Sequence, residues 1–264
     1  VAYQELLLDI NNHVATVTLN RPESLNAINR QLHEEMLDVC SRLKSDDGVR
    51  VVIWTGTGRG FCSGAHLGQG PRPDDLPGWD EMKDEYGWVG RQAMAVYGID
   101  KPTIAAVNGV AAGAGMSLAL ACDIRIGSEK TRFKTVFIER ALSPDAGMSY
   151  FLPRLIGPGA ALDLILTSRA VDADEALQLG LLQRKVDSEQ LMHEAVAVAT
   201  TIAKHPPLAA QMSRRAVQHS LDSGFARQLR YEIRAISLAR NAKEDMAESA
   251  KSFFEKREPH YTGR

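Results

Sequence analysis

Two glycine-rich segments hold the residue types that acyl chemistry needs. Gly58-Arg59-Gly60-Phe61-Cys62-Ser63-Gly64-Ala65-His66-Leu67 follows one apolar run, and Asn108-Gly109-Val110-Ala111-Ala112-Gly113-Ala114-Gly115 follows another. Small residues let the backbone approach a ligand, and amides at a glycine turn or helix start can donate to an oxygen that gains negative charge. Either segment alone also reads as a tight turn packed on its neighbours; two in one chain say more. Gly60-Phe61-Cys62-Ser63-Gly64 imitates a nucleophile elbow, but an elbow must enter a helix, and Gly68, Gly70, Pro71 and Pro73 follow instead. Cys62 therefore reads as structural. Gly113-Ala114-Gly115 opens a G-x-G-x-x-G that fails at Leu118, so no nicotinamide cofactor is implied. His33-Glu34-Glu35 lacks the second histidine of a zinc motif, and Cys40, Cys62 and Cys122 form no CxxC pair, so neither a metal nor a disulfide framework is expected.

Strands and helices must position these segments. Residues 6–10 and 14–19 are β-branched and alternating, and read as a hairpin turning at Asn11-Asn12. Asn29 can cap a helix whose apolar positions Leu32, Met36, Val39, Cys40 and Leu43 follow the 3.6-residue period, ending near Asp47-Gly48. A strand over 49–54 runs into an irregular stretch that continues to Pro77, and residues 79–98 read as helical. Strand 103–107, the turn Asn108-Gly109, a helix over 115–121 and a strand over 122–127 follow. Strands and helices thus alternate to about residue 186, which predicts a sheet-centred α/β core. Beyond Asp187 the pattern is wholly helical, with breaks at His205-Pro206-Pro207, Ser223-Gly224 and Asn241.

Composition narrows the class. A chain of 264 residues, 44% apolar and 24% charged, is long enough to bury a real core. The net charge of −2 lacks the excess expected of a dedicated nucleic-acid binder, although residues 201–264 carry +5. Most of those tail charges read as a solvated helical face. The weakly charged run 104–122 is broken by Asn108-Gly109 and is too polar to span a membrane. No basic segment precedes an apolar one near residue 1, and three scattered cysteines fit a reducing compartment, so a cytoplasmic protein is expected.

Several motifs in order resemble the enoyl-CoA hydratase/isomerase (crotonase) superfamily. They are Asn20-Arg21-Pro22 with Leu25-Asn26-Ala27, Gly60 to Ala65, Pro102 to Gly109, Cys122-Asp123-Ile124, Pro144-Asp145-Ala146-Gly147, Ala176 with Gly180-Leu181, and Phe253 to Arg257. The resemblance covers nearly the whole chain. It implies an α/β fold, a spiral of ββα units over residues 1–200 that carries the acyl-CoA site. A C-terminal helical oligomerisation region over 201–264 would assemble homotrimers or dimers of trimers. The implied substrate is a coenzyme A thioester, with no permanently bound cofactor. Carried over, the amides of Ala65 and Ala114 form an oxyanion hole. Leu25, Ala27, Ser63, Ala65 and Leu67 line the coenzyme A channel, and Phe253 with Lys256 reach a neighbouring subunit's nucleotide.

The departures direct the expected reaction. By this resemblance, hydratases use two glutamates at the positions occupied here by Ser117 and Phe137, neither of which is a carboxylate. Asp145 instead matches the aspartate of dienoyl-CoA isomerases and phenylacetate-type ring isomerases. The resemblance therefore favours an enoyl-CoA or ring-type isomerase with Asp145 as acid/base. The alternatives are a hydratase, hydrolase, dehalogenase or decarboxylase of the same superfamily, or a non-catalytic RNA-binding homologue. Sparse aromatics in the tail speak against the last. Without the resemblance, Asp145 beside Pro144 reads as a helix N-cap. His66 is either a second proton carrier, an acyl-chain contact or a plain polar neighbour. Glu139 reads as a surface ion-pair partner. Trp79, Met82, Tyr86, Trp88 and Met94 lie on the helix expected over the acyl pocket, or simply pack it.

Overall fold

The computed structural model describes residues 3–66 and 83–264. Strands β1 (Leu6–Asn11) and β2 (Val14–Leu19) form the antiparallel hairpin. Helix α1 (Arg30–Ser45) begins where Asn29 Oδ1 accepts from the Leu32 amide at 2.8 Å, as the cap pattern predicts. Its last carbonyls are met by the buried Lys101 ammonium, which donates to Leu43 O and Asp46 O. Strand β3 (Val51–Gly56) is buried at every residue. Such a strand needs cover on both faces, and its parallel partners on either side are β2 and β5 (Thr103–Val107).

From β3 onward the chain alternates between two sheets. β4 (Gly60–Cys62), β6 (Val110–Ala112), β8 (Arg132–Lys134) and β9 (Val171–Asp172) make one, in that order. The other runs β1-β2-β3-β5-β7-β10, with β7 at Ile124–Ser128 and β10 at Arg184–Val186. Each step from the large sheet to the small one followed by a helix is a ββα turn, and repetition winds the expected spiral. The small sheet corrects the sequence reading of residues 60–62 as part of an irregular stretch and of Asn108-Gly109 as leading straight into a helix. Its strands are two or three residues long, too short to show a period.

The helix expected over residues 79–98 is α2, Gly87–Tyr97. Residues 84–86 are not helical; Asp84 Oδ1 accepts from the Tyr86 amide at 3.1 Å and holds a turn there, and residues 79–82 lie outside the described ones. Helix α3 (Ala114–Ala121) is buried along its whole length, with no polar face, and sits against the core between the sheets. α4 (Met148–Ile156), α5 (Pro158–Thr167) and α6 (Ala173–Leu179) complete the spiral.

Four helices close the chain: α7 (Leu191–Ala203), α8 (Pro207–Ser220), α9 (Phe225–Ala239) and α10 (Lys243–Glu255). The breaks fall at Pro206-Pro207, at Gly224 and at Asn241, as the sequence predicts. α7 seals the large sheet by packing Leu191, Ala195 and Ala199 on Val51, Ile53 and Ile104. α8 is fastened by Arg214, whose Nε lies 2.7 Å from Asp123 Oδ2 and whose Nη2 donates to Tyr97 O at the end of α2. Among the described residues no helix is long and apolar enough to cross a membrane.

Candidate active site

Two asparagines hold the loop between β3 and β4. Asn26, fully buried, donates through Nδ2 to Thr57 O at 3.0 Å and Gly60 O at 2.8 Å, and accepts the Arg21 amide at 2.8 Å. Asn108 Nδ2 donates to Gly58 O at 2.9 Å and Gly60 O at 3.2 Å, while its Oδ1 accepts the Gly56 amide at 3.2 Å. The motif asparagines therefore satisfy the carbonyls of Thr57, Gly58 and Gly60 where the chain turns into β4. Sequence reasoning placed both residues in motifs without finding this task, which depends on contacts across more than 30 residues.

Beyond β4 the backbone changes phase. The Ser63 amide donates to Leu25 O at 3.0 Å, so an unbroken strand would turn the Ala65 amide to the same side. Gly64 interrupts it with a φ of +98°, a conformation open to glycine. Ile28 N then donates to Gly64 O at 2.8 Å and His66 N to Ile28 O at 2.9 Å, a parallel bridge centred on Ala65. In such a bridge the central residue's own N–H faces away from Ile28. On that other side β6 continues through Gly113 into α3. A Cβ on Gly64 would stand 3.5 Å from Ala114 N, and one on Gly115 would clash with Cys62 O at 2.1 Å. Glycine at both places lets the two segments touch. Ala114 is the first residue of α3, where an amide has no acceptor within the helix. Among the described residues neither the Ala65 nor the Ala114 N–H meets a protein acceptor, and Ala65 is exposed to solvent. Donors without acceptors beside a helix N-terminus suit an oxyanion.

Asp145 lies beside α3's first turn. Its main-chain oxygen accepts from the Ser117 hydroxyl at 3.4 Å and from the Met148 amide at 2.9 Å. Its side chain caps nothing: the N-cap of α4 is Gly147, and Ala146 at φ 50° and Gly147 at φ 83° separate Asp145 from the helix. That corrects the N-cap alternative. Asp145 Oδ1 is buried without a hydrogen-bond partner, and burial raises the carboxyl above its ordinary pKa. Ala114, Ser117 and Ala146 line one small cavity of about 10 Å³ with Gln92 and Val96 of α2. No carboxylate lines it.

Of the other expected pocket residues, Trp88 is partly buried on α2 with its ring edge on His33, centroids 5.4 Å apart. Phe137 is buried in the core, next to Val136, which packs on Gly113. His66 has its Nδ1 buried and unpaired among the described residues. Glu139 pairs with Lys134 at 2.7 Å on the surface, as its sequence reading held.

Leu25, Ala27 and Ser63 come together along the turn: Leu25 O takes the Ser63 amide, Ser63 Oγ donates to Ser24 O at 3.0 Å, and Ala27 is buried. Leu67 lies outside the described residues. Phe253 and Lys256, at the end of α10, are exposed and form no hydrogen bond with this cluster. The three cysteines are free and buried, and burial pushes the Cys62 and Cys122 thiols up to about 12. Among the described residues no three His, Cys, Asp or Glu side chains are grouped to hold a metal ion. The larger hollow of about 510 Å³ lies at the other end of β3, between Arg50 and the C-terminal residues Glu258 to Tyr261, and shares no residue with the cluster.

A sequence model of the family described as enoyl-CoA hydratase/isomerase matches residues 9–264. The short-chain-enoyl-CoA hydratase of Clostridium acetobutylicum is 34% identical over 254 residues, covering 96% of this chain and 95% of its own. The 1,2-epoxyphenylacetyl-CoA isomerase of Escherichia coli is 34% identical over 265 residues, covering 98% of both. The crystal structure of enoyl-CoA hydratase from Bacillus anthracis superposes with a TM-score of 0.91 at 32% identity, over 99% of this chain and 100% of that one. Sequence match and spiral topology agree: the chain belongs to the enoyl-CoA hydratase/isomerase family.

Proposed function

We propose that the protein is an acyl-CoA isomerase that moves a double bond through a thioester enolate, with Asp145 as the acid/base and the Ala65 and Ala114 amides as the oxyanion hole. The observation that carries this reading is the half-buried Asp145 carboxylate, whose Oδ1 is buried and unpartnered, on a residue whose main chain meets Ser117 in α3's first turn. Ionised Asp145 takes a proton from C2 of a β,γ-unsaturated acyl-CoA. The electron pair moves into the thioester carbonyl, whose oxygen becomes the enolate held by the two amides. Donors of this kind are worth roughly 3–4 kcal/mol each in the transition state. Asp145 then returns the proton at C4, and the double bond moves from C3–C4 to C2–C3. Burial raises the carboxyl, which brings its proton affinity closer to that of an enolate carbon and helps both transfers.

Hydration is the second reading, favoured by the hydratase among the relatives. Against it stand Ser117 and Phe137, which leave one carboxylate to activate water and protonate carbon. Turnover of 3-hexenoyl-CoA in heavy-oxygen water separates the two: an isomerase yields unlabelled 2-hexenoyl-CoA, and labelled 3-hydroxy product sinks the isomerase reading.

The acyl-CoA channel is assigned to Leu25, Ala27, Ser63 and Leu67, with Phe253 and Lys256 serving a neighbouring subunit. This requires a homotrimer or dimer of trimers built on residues 201–264. α9 supports it with an apolar stripe at helical spacing, Phe225, Leu229, Ile233 and Ile236, all solvent-exposed in the single chain.

A further inference from the structure

The acyl end of the site contains a feature that double-bond migration does not need. Gln92, on α2, is 3% exposed, and Ser117, on α3, is 1% exposed. Both reach the cavity of about 10 Å³ that Ala114 and Ala146 also line, a space of one oxygen-sized group. Ala93, Val96, Leu118 and Ala121 supply the rest of the wall, so these are polar groups on an otherwise apolar surface.

Neither is fully satisfied. Gln92 Oε1 lies 3.4 Å from His33 Nδ1, which turns the amide so that its NH₂ group is left over, and that group meets no acceptor among the described residues. Burial lowers the His33 pKa, so the ring is neutral and can donate this bond from Nδ1. Trp88 packs edge-on against the same ring and fixes it. The Ser117 hydroxyl reaches the Asp145 carbonyl only at 3.4 Å, leaving its lone pairs free. An apolar acyl chain against this wall would leave the Gln92 NH₂ without an acceptor, which disfavours it.

We infer that Gln92 and Ser117 are specificity-determining residues that select acyl groups carrying a hydroxyl or carbonyl oxygen a few carbons from the thioester. The Gln92 NH₂ donates to that oxygen, and Ser117 completes the set by donating to a carbonyl or accepting from a hydroxyl. The location follows from Ala114, whose amide is assigned to the thioester oxygen, and Ala146, which adjoins the acid; the inference therefore rests on that assignment of the site.

The test uses 3-hexenoyl-CoA and its 5-hydroxy analogue with the full-length protein. Wild type is expected to favour the hydroxylated ester in kcat/KM, and Gln92→Leu and Ser117→Ala are each expected to cut that preference about tenfold or more. Equal kcat/KM for the two esters in wild type, or an unchanged ratio in both variants, overturns the inference. Calorimetric binding of the same pair is read in parallel. If neither ester is turned over, the isomerase reading fails by itself, and the difference in Kd still decides: a preference for the hydroxylated ester that Gln92→Leu removes supports the inference, and equal Kd values end it.

Discussion

Asp145 has one carboxylate oxygen sealed from solvent with no donor to meet it, an arrangement that costs stability unless a substrate uses it. Asp145→Asn keeps the shape and removes the charge, so it is expected to lower kcat by about 10²–10⁴-fold. The same variant should denature at higher urea near neutral pH. Burial makes the folded chain hold the Asp145 proton to higher pH than the unfolded chain does. Between the ordinary carboxyl pKa and the raised one the native state binds more protons, so this group's contribution to stability falls as pH rises through that window. Wild-type kcat/KM, in turn, should fall on acidification with a midpoint above the ordinary aspartate value of about 3.9. A midpoint at or below that value would remove Asp145 from the role. The cysteines make a simpler case. With their thiols buried and raised in pKa, none is expected to react with a thiol reagent in the native protein at pH 8, and all three should react in urea.

The elements carry the site through a few backbone devices. Ala114 occupies the first position of α3, where proline is tolerated because its missing N–H has no helical acceptor. Ala114→Pro therefore deletes one hole donor while sparing the helix. It is expected to leave the far-ultraviolet circular dichroism intact and lower kcat by about 10²–10³-fold. Asn26→Ala strips the partners from the Thr57 carbonyl and the Arg21 amide and removes one of two donors to Gly60 O, at a cost of about 2–4 kcal/mol in urea unfolding, with kcat falling because the Ala65 segment loses its hold. An unaltered unfolding midpoint would show that the clasp is dispensable. At this scale the long periodic elements were legible: α1 with its Asn29 cap, strand 103–107, and the four closing helices between breaks at Pro206-Pro207, Gly224 and Asn241. The small sheet was not. Gly60–Cys62 and Val110–Ala112 carry no period that marks a strand, and they become one only because each lies beside the other.

For the molecule as a whole, the face of α9 is the feature a single chain leaves unexplained. Ile233, at the middle of the stripe and 69% exposed, would meet no partner in a monomer. Ile233→Asp is expected to shift the assembly toward monomer in light scattering and to raise KM for acyl-CoA, since Phe253 and Lys256 would then have no neighbouring site to serve. A monodisperse wild-type monomer with full activity would refute that arrangement. The sequence by itself determined the α/β alternation, the helical close of the chain and the two glycine segments, because periodicity, proline and glycine act locally. Asp145's role and that of the amides came from resemblance, since an aspartate after proline is locally indistinguishable from a cap. Only the tertiary structure decided that Gly64 reverses the Ala65 amide toward α3, that Asp145 caps nothing, and that Gln92 and Ser117 share a cavity. Each of these depends on groups distant in sequence meeting across packed elements, which no local pattern encodes.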